Sequence, residues 1–352
     1  MSRRALLLAL LCLLLAYLGS RRDPPFGIDA VSAVTPGRVS VVGAVAAAGA
    51  GSALSAAQVE EMVRKAVYLS GGMHKAIDPA ARWIVVKIAD LRAARAESGG
   101  TQTLDPYLAA VRVIVGLLHQ AAGEARFSLT AGAAPVAEAG SGNRERGESA
   151  RETGETALEK LAADLVASGI EVDLLDLATE ETERAEVPDG GEAAAEYAVP
   201  IAILECDSIV NVAPYSRRGI SGLANLVGMA ANDGTARDDD AAADSESAAD
   251  EVAQLVDLAL LAEVDYTLLT LLGTGGASPR HPRLDVILAG HDPTAVDRIS
   301  LEITAADTSY LAALRLASSR RLGTADLPWI KVNGMEVGGS WKESGRESSA
   351  AE

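Results

Sequence analysis

The feature that most constrains this sequence is a regular alternation of short apolar runs with segments of helical period. Runs of strand length recur from Arg38–Val45 to Trp329–Gly334. Between them lie segments such as 56–69, in which apolar residues recur every three or four positions. Strands that alternate with helices form parallel sheets, and continuously apolar strands are buried on both faces. The sequence therefore predicts an α/β fold, layered, with a largely parallel sheet and helices on both faces.

The same pattern predicts one domain over residues 31–335. Its other strands are expected at 82–88, 125–131, 170–177, 199–204, 207–212, 265–272 and 284–289, and its other helices at 105–118, 155–168, 251–262, 292–304 and 309–319. Two polar inserts, near 136–153 and 231–250, have no apolar period. The second contains D-D-D-A-A-A-D-S-E-S, and such acidic segments do not bury enough apolar surface to fold. We predict a flexible loop for the first, and disorder for the second and for the tail 336–352.

The N-terminus has the composition of a targeting segment. Arg3 and Arg4 precede an unbroken apolar run, Ala5–Leu18, which as a helix is about 21 Å long. A full span of the hydrocarbon core needs about 30 Å, so residues 1–30 are predicted to be a signal peptide or a short membrane anchor. The leader resembles a twin-arginine signal in part, and an ordinary secretion signal is the alternative. Cleavage stays open, because Arg21-Arg22 after the run can retain it. The protein is predicted to be exported or membrane-anchored, and extracytoplasmic.

Charge and cysteine content exclude several classes of function. The formal net charge is −18, whereas nucleic-acid binding needs a concentrated basic surface, so no nucleic-acid partner is expected. The chain has two cysteines and no Cys-x-x-Cys, which excludes a cysteine-bound cluster or zinc ribbon held by this chain alone. Its four histidines are far apart in sequence. No metal site is predicted, and the residues identify no cofactor.

Candidate sites follow from the predicted sheet. In parallel α/β sheets, ligands bind beyond the carboxyl ends of the strands. Four strand-to-helix turns are therefore expected to meet at one edge of the sheet: Lys87–Asp90, Asn211–Gly222, Gly273–Pro279 and His291–Asp297.

Two charged residues in these turns are candidates for catalysis. Asp292 precedes Pro293 and is explained as a helix N-cap. Asp297 lies too far into that helix to cap it, so it is either a site residue or part of a solvated helix face. Lys87 ends an apolar strand, where it either binds an anion or extends to the edge of the sheet. Asp297 and Lys87 are the predicted catalytic residues.

Other residues in the turns are suited to binding an anion. Arg217 and Arg218 can grip a carboxylate or phosphate with their guanidinium groups, and a plain surface pair is the alternative. Gly275 lies in L-G-T-G-G, where backbone N–H groups can face an anion, although an ordinary turn explains it as well.

These turns also resemble a known family. The resemblance rests on V-V-K-I-A-D at Val85–Asp90, T-L-D-P at Thr103–Pro106, I-V-N-V-A-P-Y-S-R-R-G-I-S-G at Ile209–Gly222, N-L-V-G at Asn225–Gly228, L-G-T-G-G-A-S-P at Leu272–Pro279 and H-D-P-T-A-V-D at His291–Asp297. In order and spacing they are similar to the bacterial and archaeal family catalogued as domain of unknown function 362, over about residues 39–335. The resemblance adds Asn211 and Gly222 to the predicted ligand-binding residues. It also implies twin-arginine export and redox or cofactor-linked work with an external redox partner.

The departures from the family pattern weaken the implied activity. Pro214 and Ser216 stand where the family has lysines, Arg218 where it has histidine, and Thr274 where it has glutamate. These residues do not replace a lost proton-transfer group. Three alternatives follow for the function. The first is a divergent family member, with weak, altered or lost activity, that retains a pocket for a small anionic ligand. The others are a cofactor- or metal-linked redox enzyme of the cell envelope and a non-catalytic envelope interaction protein. Whether the chain is an enzyme stays open on sequence grounds.

Overall fold

The protein was analysed as a computed structural model, which describes residues 39–47, 54–89, 91, 105–131, 157–215, 221–226, 228–230, 245–274, 284–304 and 310–335. The described strands are β1 (Ser40–Ala46), β2 (Trp83–Ile88), β3 (Arg126–Thr130), β4 (Val172–Leu174), β5 (Thr182–Glu186), β6 (Glu196–Pro200), β7 (Ser208–Pro214), β8 (Tyr266–Thr274), β9 (Leu284–Gly290) and β10 (Ile330–Asn333). Each of the longer runs predicted as a buried strand forms one, except 199–204.

Eight of these strands form a mixed, mostly parallel sheet in the order β10-β1-β9-β8-β7-β2-β3-β4. Among the described strands of this sheet, β9 alone runs antiparallel to its neighbours, β1 and β8. The strands β5 and β6 form a separate antiparallel pair. The predicted α/β class with a largely parallel sheet is confirmed.

Helices cover both faces of the sheet. They are α1 (Ala56–Leu69), α2 (Asp105–Ala121), α3 (157–167), α4 (Ile201–Glu205), α5 (Ser221–Ala224), α6 (Ser245–Ala262), α7 (Pro293–Thr304) and α8 (Tyr310–Ser319). The helices α1, α2 and α3 share one apolar core with the face that includes Val86 and Ile88. The helices α5 to α8 pack on the opposite face, which includes Val85. Because the central strands are buried on both sides, most positions of β2, β7, β8 and β9 are apolar.

Three predicted elements differ from the structure. The run 199–204 divides into the end of β6 and the helix α4, because a short apolar run is compatible with either structure. The strand predicted at 170–177 is only Val172–Leu174. The helix α6 begins at Ser245, inside the stretch 231–250 for which disorder is predicted. Alanine, leucine and glutamate make up most of the sequence Ser245–Ala262, and these residues have high helix propensity.

Several predictions lie outside the described residues. They are the leader in 1–30, the loop 136–153, most of the acidic insert and the tail 336–352. Among the helices that the structure describes, none has the length and apolar composition needed to cross a membrane.

Candidate functional site

A row of buried polar side chains crosses the middle of the sheet. Thr130, Lys87, Asn211 and Thr267 are successive partners on β3, β2, β7 and β8. Partners in register point to the same face of a sheet, here the face that carries α5 and α7. All four are buried. Because a polar group without a hydrogen bond is costly to bury, such a row within an apolar sheet marks either a site or a structural network.

Lys87 lies inside the protein with only 1% of its surface exposed. Its Nζ donates hydrogen bonds to the carbonyl oxygen of Ile88 at 2.8 Å and to that of Ala131 at 3.0 Å. Both carbonyls lie at the carboxyl ends of their strands, β2 and β3. The amino group of Lys87 therefore lies at the edge where ligands of α/β sheets bind.

Asn211 connects β7 to the segment that follows it. Its Nδ2 donates to the carbonyl oxygen of Gly222 at 2.8 Å, and its Oδ1 accepts from Nδ2 of Asn225 at 2.7 Å. Asn225 also donates to the carbonyl of Val212 at 3.2 Å. The two amides thus tie α5 and the residues after it to the centre of the sheet.

Asp297 lies in the second turn of α7 and is fully buried, so it does not belong to a solvated helix face. Its Oδ1 accepts from the N–H of Gly222 at 2.7 Å and its Oδ2 from that of Leu223 at 2.9 Å. Burial raises the pKa of this carboxyl to about 7, although the two backbone donors act in the opposite direction. A carboxylate in this position caps a short helix from another part of the chain.

The predicted site residues Asn211, Gly222 and Asp297 therefore belong to one hydrogen-bonded network beside Lys87. A Cβ atom at Gly222 would lie 3.0 Å from Oδ1 of Asp297, which explains why glycine stands there. The N–H of Tyr215 donates to the carbonyl of Thr270 at 2.8 Å. Both ends of the connection from β7 to α5 are consequently held in place.

Three other predicted ligand-binding residues lie outside the described residues. Arg217 and Arg218 belong to the connection between Tyr215 and Ser221, and Gly275 follows the end of β8. Their roles stay predictions, as do the catalytic roles of Asp297 and Lys87.

The expectation that the turn after β9 joins the other turns is wrong. Because β9 runs antiparallel, Gly290 at its end is paired with Thr267, near the start of β8. Asp292 therefore lies at the opposite edge. There it caps α7, accepting from the N–H of Ala295 at 2.8 Å, as its sequence position predicts. Asp297 reaches the site only because α7 runs back over the sheet.

Two residues of this region were not predicted to be in the site. Asn225 is one, although it stands in the motif N-L-V-G. Tyr107 is the other: its hydroxyl accepts from the N–H of Ala89 and donates to the carbonyl of Val212, each at 2.8 Å. Burial raises the pKa of Tyr107, so the hydroxyl stays protonated. Its position after the helix-start motif T-L-D-P, which follows the β2 turn, is a signal that could have identified it.

The chemistry open to this network is binding and positioning. Within the ranges that the structure describes, no group of three or more His, Cys, Asp or Glu side chains could hold a metal ion. Asp297 is buried, with both carboxylate oxygens bonded to backbone N–H groups, so its contacts orient α5.

Fold and network together define an α/β protein whose buried polar residues order the carboxyl edge of a mixed sheet. Residues 98–302, more than half of the chain, match the family described as Domain of unknown function (DUF362). The chain belongs to that family.

A structural comparison adds a distant similarity. The lactate racemase apoprotein from Thermoanaerobacterium thermosaccharolyticum is 13% identical with a TM-score of 0.36, and the match covers 66% of this chain and 52% of that chain. This chain thus spans about half the length of that protein, and a similarity of this degree carries no inference about activity. No curated protein matches the sequence.

Proposed function

We propose that this chain is an extracytoplasmic binding protein for a small anionic ligand, bound where β2 and β7 end, and that it has no catalytic activity of its own. The supporting observation is the buried network that joins Asn211, Gly222 and Asp297 beside the Lys87 ammonium. It fixes both flanks of the connection that carries Arg217 and Arg218.

Positive charge makes an anion the favoured ligand. The Lys87 ammonium lies at the carboxyl edge of β2, and two arginines lie in the connection after β7, the next strand of the sheet. A guanidinium binds a carboxylate or a phosphate with two parallel hydrogen bonds. Against a net charge of −18, a local cationic group also concentrates anions that the rest of the surface repels.

The absence of catalysis is proposed because the titratable residues of the network are engaged in structure. Asp297 caps α5, and Lys87 donates to two strand-end carbonyls. The family's lysine, histidine and glutamate positions hold other residues in this chain, as Pro214 and Thr274 illustrate. A site built this way retains affinity without a group placed for proton transfer.

Isothermal titration of the purified chain with inorganic phosphate and with a small dicarboxylate tests the proposal. We expect saturable binding of at least one of them, lost in Arg218→Gln and kept in Arg64→Gln. Arg64 is a suitable control because it forms an exposed ion pair with Glu60 on α1, at 2.9 Å. Binding by Arg218→Gln equal to that of the parent would show that the predicted pocket does not exist.

A further inference from the structure

An exposed apolar corner lies where the described chain begins. It consists of Val39, Leu327 and Trp329, whose surfaces are 46%, 38% and 47% exposed. Ser40 on β1 is paired with Ile330 on β10 in a parallel ladder, so Val39 and Trp329 precede paired residues on adjacent strands. Six large hydrophobic residues are exposed in the described part of the chain, and half of them meet at this apolar corner. Exposed apolar side chains close together are candidates for contact with another surface.

Buried polar groups hold the backbone of the apolar corner from inside. Asp292 accepts hydrogen bonds from the Ser40 hydroxyl at 2.5 Å and from the N–H of Thr324 at 2.9 Å. The Nε of Arg298 donates to the carbonyl of Ala325 at 3.1 Å. Ser40, which follows Val39, and Thr324–Ala325, which lie before Leu327, are therefore held by hydrogen bonds while the apolar side chains are exposed to solvent. A surface that is already ordered loses little conformational entropy on docking.

The sequence before the apolar corner indicates what it contacts. Twenty residues, 19–38, separate the apolar run Ala5–Leu18 from Val39. A chain of twenty residues has an end-to-end distance of about 25 Å as a random coil and about 70 Å at full extension, so an inserted run holds the apolar corner within that reach of the membrane. A run too short for a full span gains from a second contact with the bilayer. Trp side chains favour the level of the lipid headgroups.

We propose that the apolar corner rests on the bilayer that holds the N-terminal run, with Trp329 at headgroup level. The net charge of −18 favours a zwitterionic lipid surface over an anionic one. This inference rests on the extracytoplasmic location proposed above and on the anchor alternative for residues 1–30, and it is independent of anion binding.

Fluorescence quenching in phosphatidylcholine vesicles tests it on the full chain. Vesicles carry lipids brominated near the headgroup end of the acyl chains, and the Trp329 signal is the difference between the parent and Trp329→Phe. We expect brominated lipid to reduce that signal and to leave the emission of Trp329→Phe unchanged. The control is Trp329→Phe/Val166→Trp. Val166 is exposed near the end of α3, which leads into β4 at the opposite edge of the sheet, so the introduced indole should not be quenched.

Flotation of the vesicles separates the outcomes. A chain that floats and shows no quenching at Trp329 overturns the docked corner but not the anchor. A chain that does not float overturns the anchor and this inference together, and leaves the phosphate titration to decide the binding function. Equal quenching at position 166 overturns the inference too, because it indicates unoriented contact. Self-association that Trp329→Ser abolishes, without quenching, would assign the corner to a second copy of the chain.

Discussion

The buried carboxyl of Asp297 makes the free energy of unfolding depend on pH. Its folded pKa is raised by burial to about 7, whereas an unfolded Asp titrates near 3.9. Between about pH 4 and pH 7 the folded state therefore holds a proton that the unfolded state has released. The contribution of Asp297 to stability consequently falls as the pH rises through this window, and is constant above it.

We expect Asp297→Asn to cost more free energy of unfolding at pH 5 than at pH 8. At pH 8 the parent is already destabilised by the buried negative charge of Asp297, and the neutral amide of the variant carries no such charge. Urea denaturation at the two pH values measures the difference. Asp265 and Asp292, whose pKa values burial also raises, remain in both proteins and cancel in the comparison. Ser300→Ala, which removes a hydroxyl bonded to the carbonyl of Asp297, is the control and should cost the same at both pH values.

The two aspartates of the motif H-D-P-T-A-V-D show what a sequence can specify at this scale. Asp292 directly before Pro293 is a local pattern, and the structure confirms the predicted N-cap. Asp297 also caps a helix, but the helix is α5, more than seventy residues earlier in the chain. Nothing local distinguishes a carboxylate that faces a distant helix from one that faces solvent, so its partner could not be predicted.

At the scale of elements, the contact between β1 and α1 depends on a glycine. A Cβ atom at Gly43 would lie 2.0 Å from the carbonyl oxygen of Ala66 and 2.8 Å from the backbone nitrogen of Ser70. Because both are backbone atoms, of α1 or of the residue that follows it, the steric clash can be relieved only if the helix moves. We expect Gly43→Ala to lower the free energy of unfolding by about 3 kcal/mol or more, measured in urea.

A matched substitution in α2 should have the opposite sign. Nothing lies within 4 Å of a Cβ atom added at Gly116, which is inside that helix. Gly116→Ala is expected to raise the free energy of unfolding by about 0.5–1 kcal/mol, because alanine loses less backbone entropy in a helix. Equal effects of the two substitutions would show that the close approach at Gly43 is relieved without cost.

The direction of β9 could have been predicted from the sequence. Only nine residues separate Thr274 at the end of β8 from Leu284 at the start of β9. A parallel connection needs a crossover of a dozen residues or more, whereas antiparallel neighbours tolerate short loops. The pair β5 and β6 has a similar signal, P-D-G-G at Pro188–Gly191, which is typical of a turn. Alternation of apolar runs gives the fold class, and connection length gives strand direction.

At the scale of the whole molecule, the first and last described strands are neighbours in the sheet. The first described strand, β1, is paired with the last, β10, and lies between β10 and β9 at one side of the sheet. Pairing of this kind depends on residues almost three hundred positions apart, and periodicity within a segment carries no information about it. The site follows the same rule: the turns after β2 and β7 were predicted to belong to it, whereas the partners of their residues depend on how distant segments pack.

The pairing of β1 with β10 predicts unequal effects of two truncations. A chain that ends at Asp326 lacks β10, which leaves one edge of β1 unpaired. It also lacks Ile330, which belongs to a core cluster with Val42 and Val286. Burial of one such side chain contributes about 2–3 kcal/mol, and the ladder to β1 is lost as well. We expect the melting temperature to fall by on the order of 5–10 °C.

A chain ending at Met335 retains β10 and should have the same melting temperature as the full chain, as predicted for a disordered tail. Calorimetry of the three proteins decides the matter: equal melting of the shorter chain and the parent would show that β10 adds nothing to the sheet, and a large loss on removing 336–352 alone would show that the tail is part of the fold.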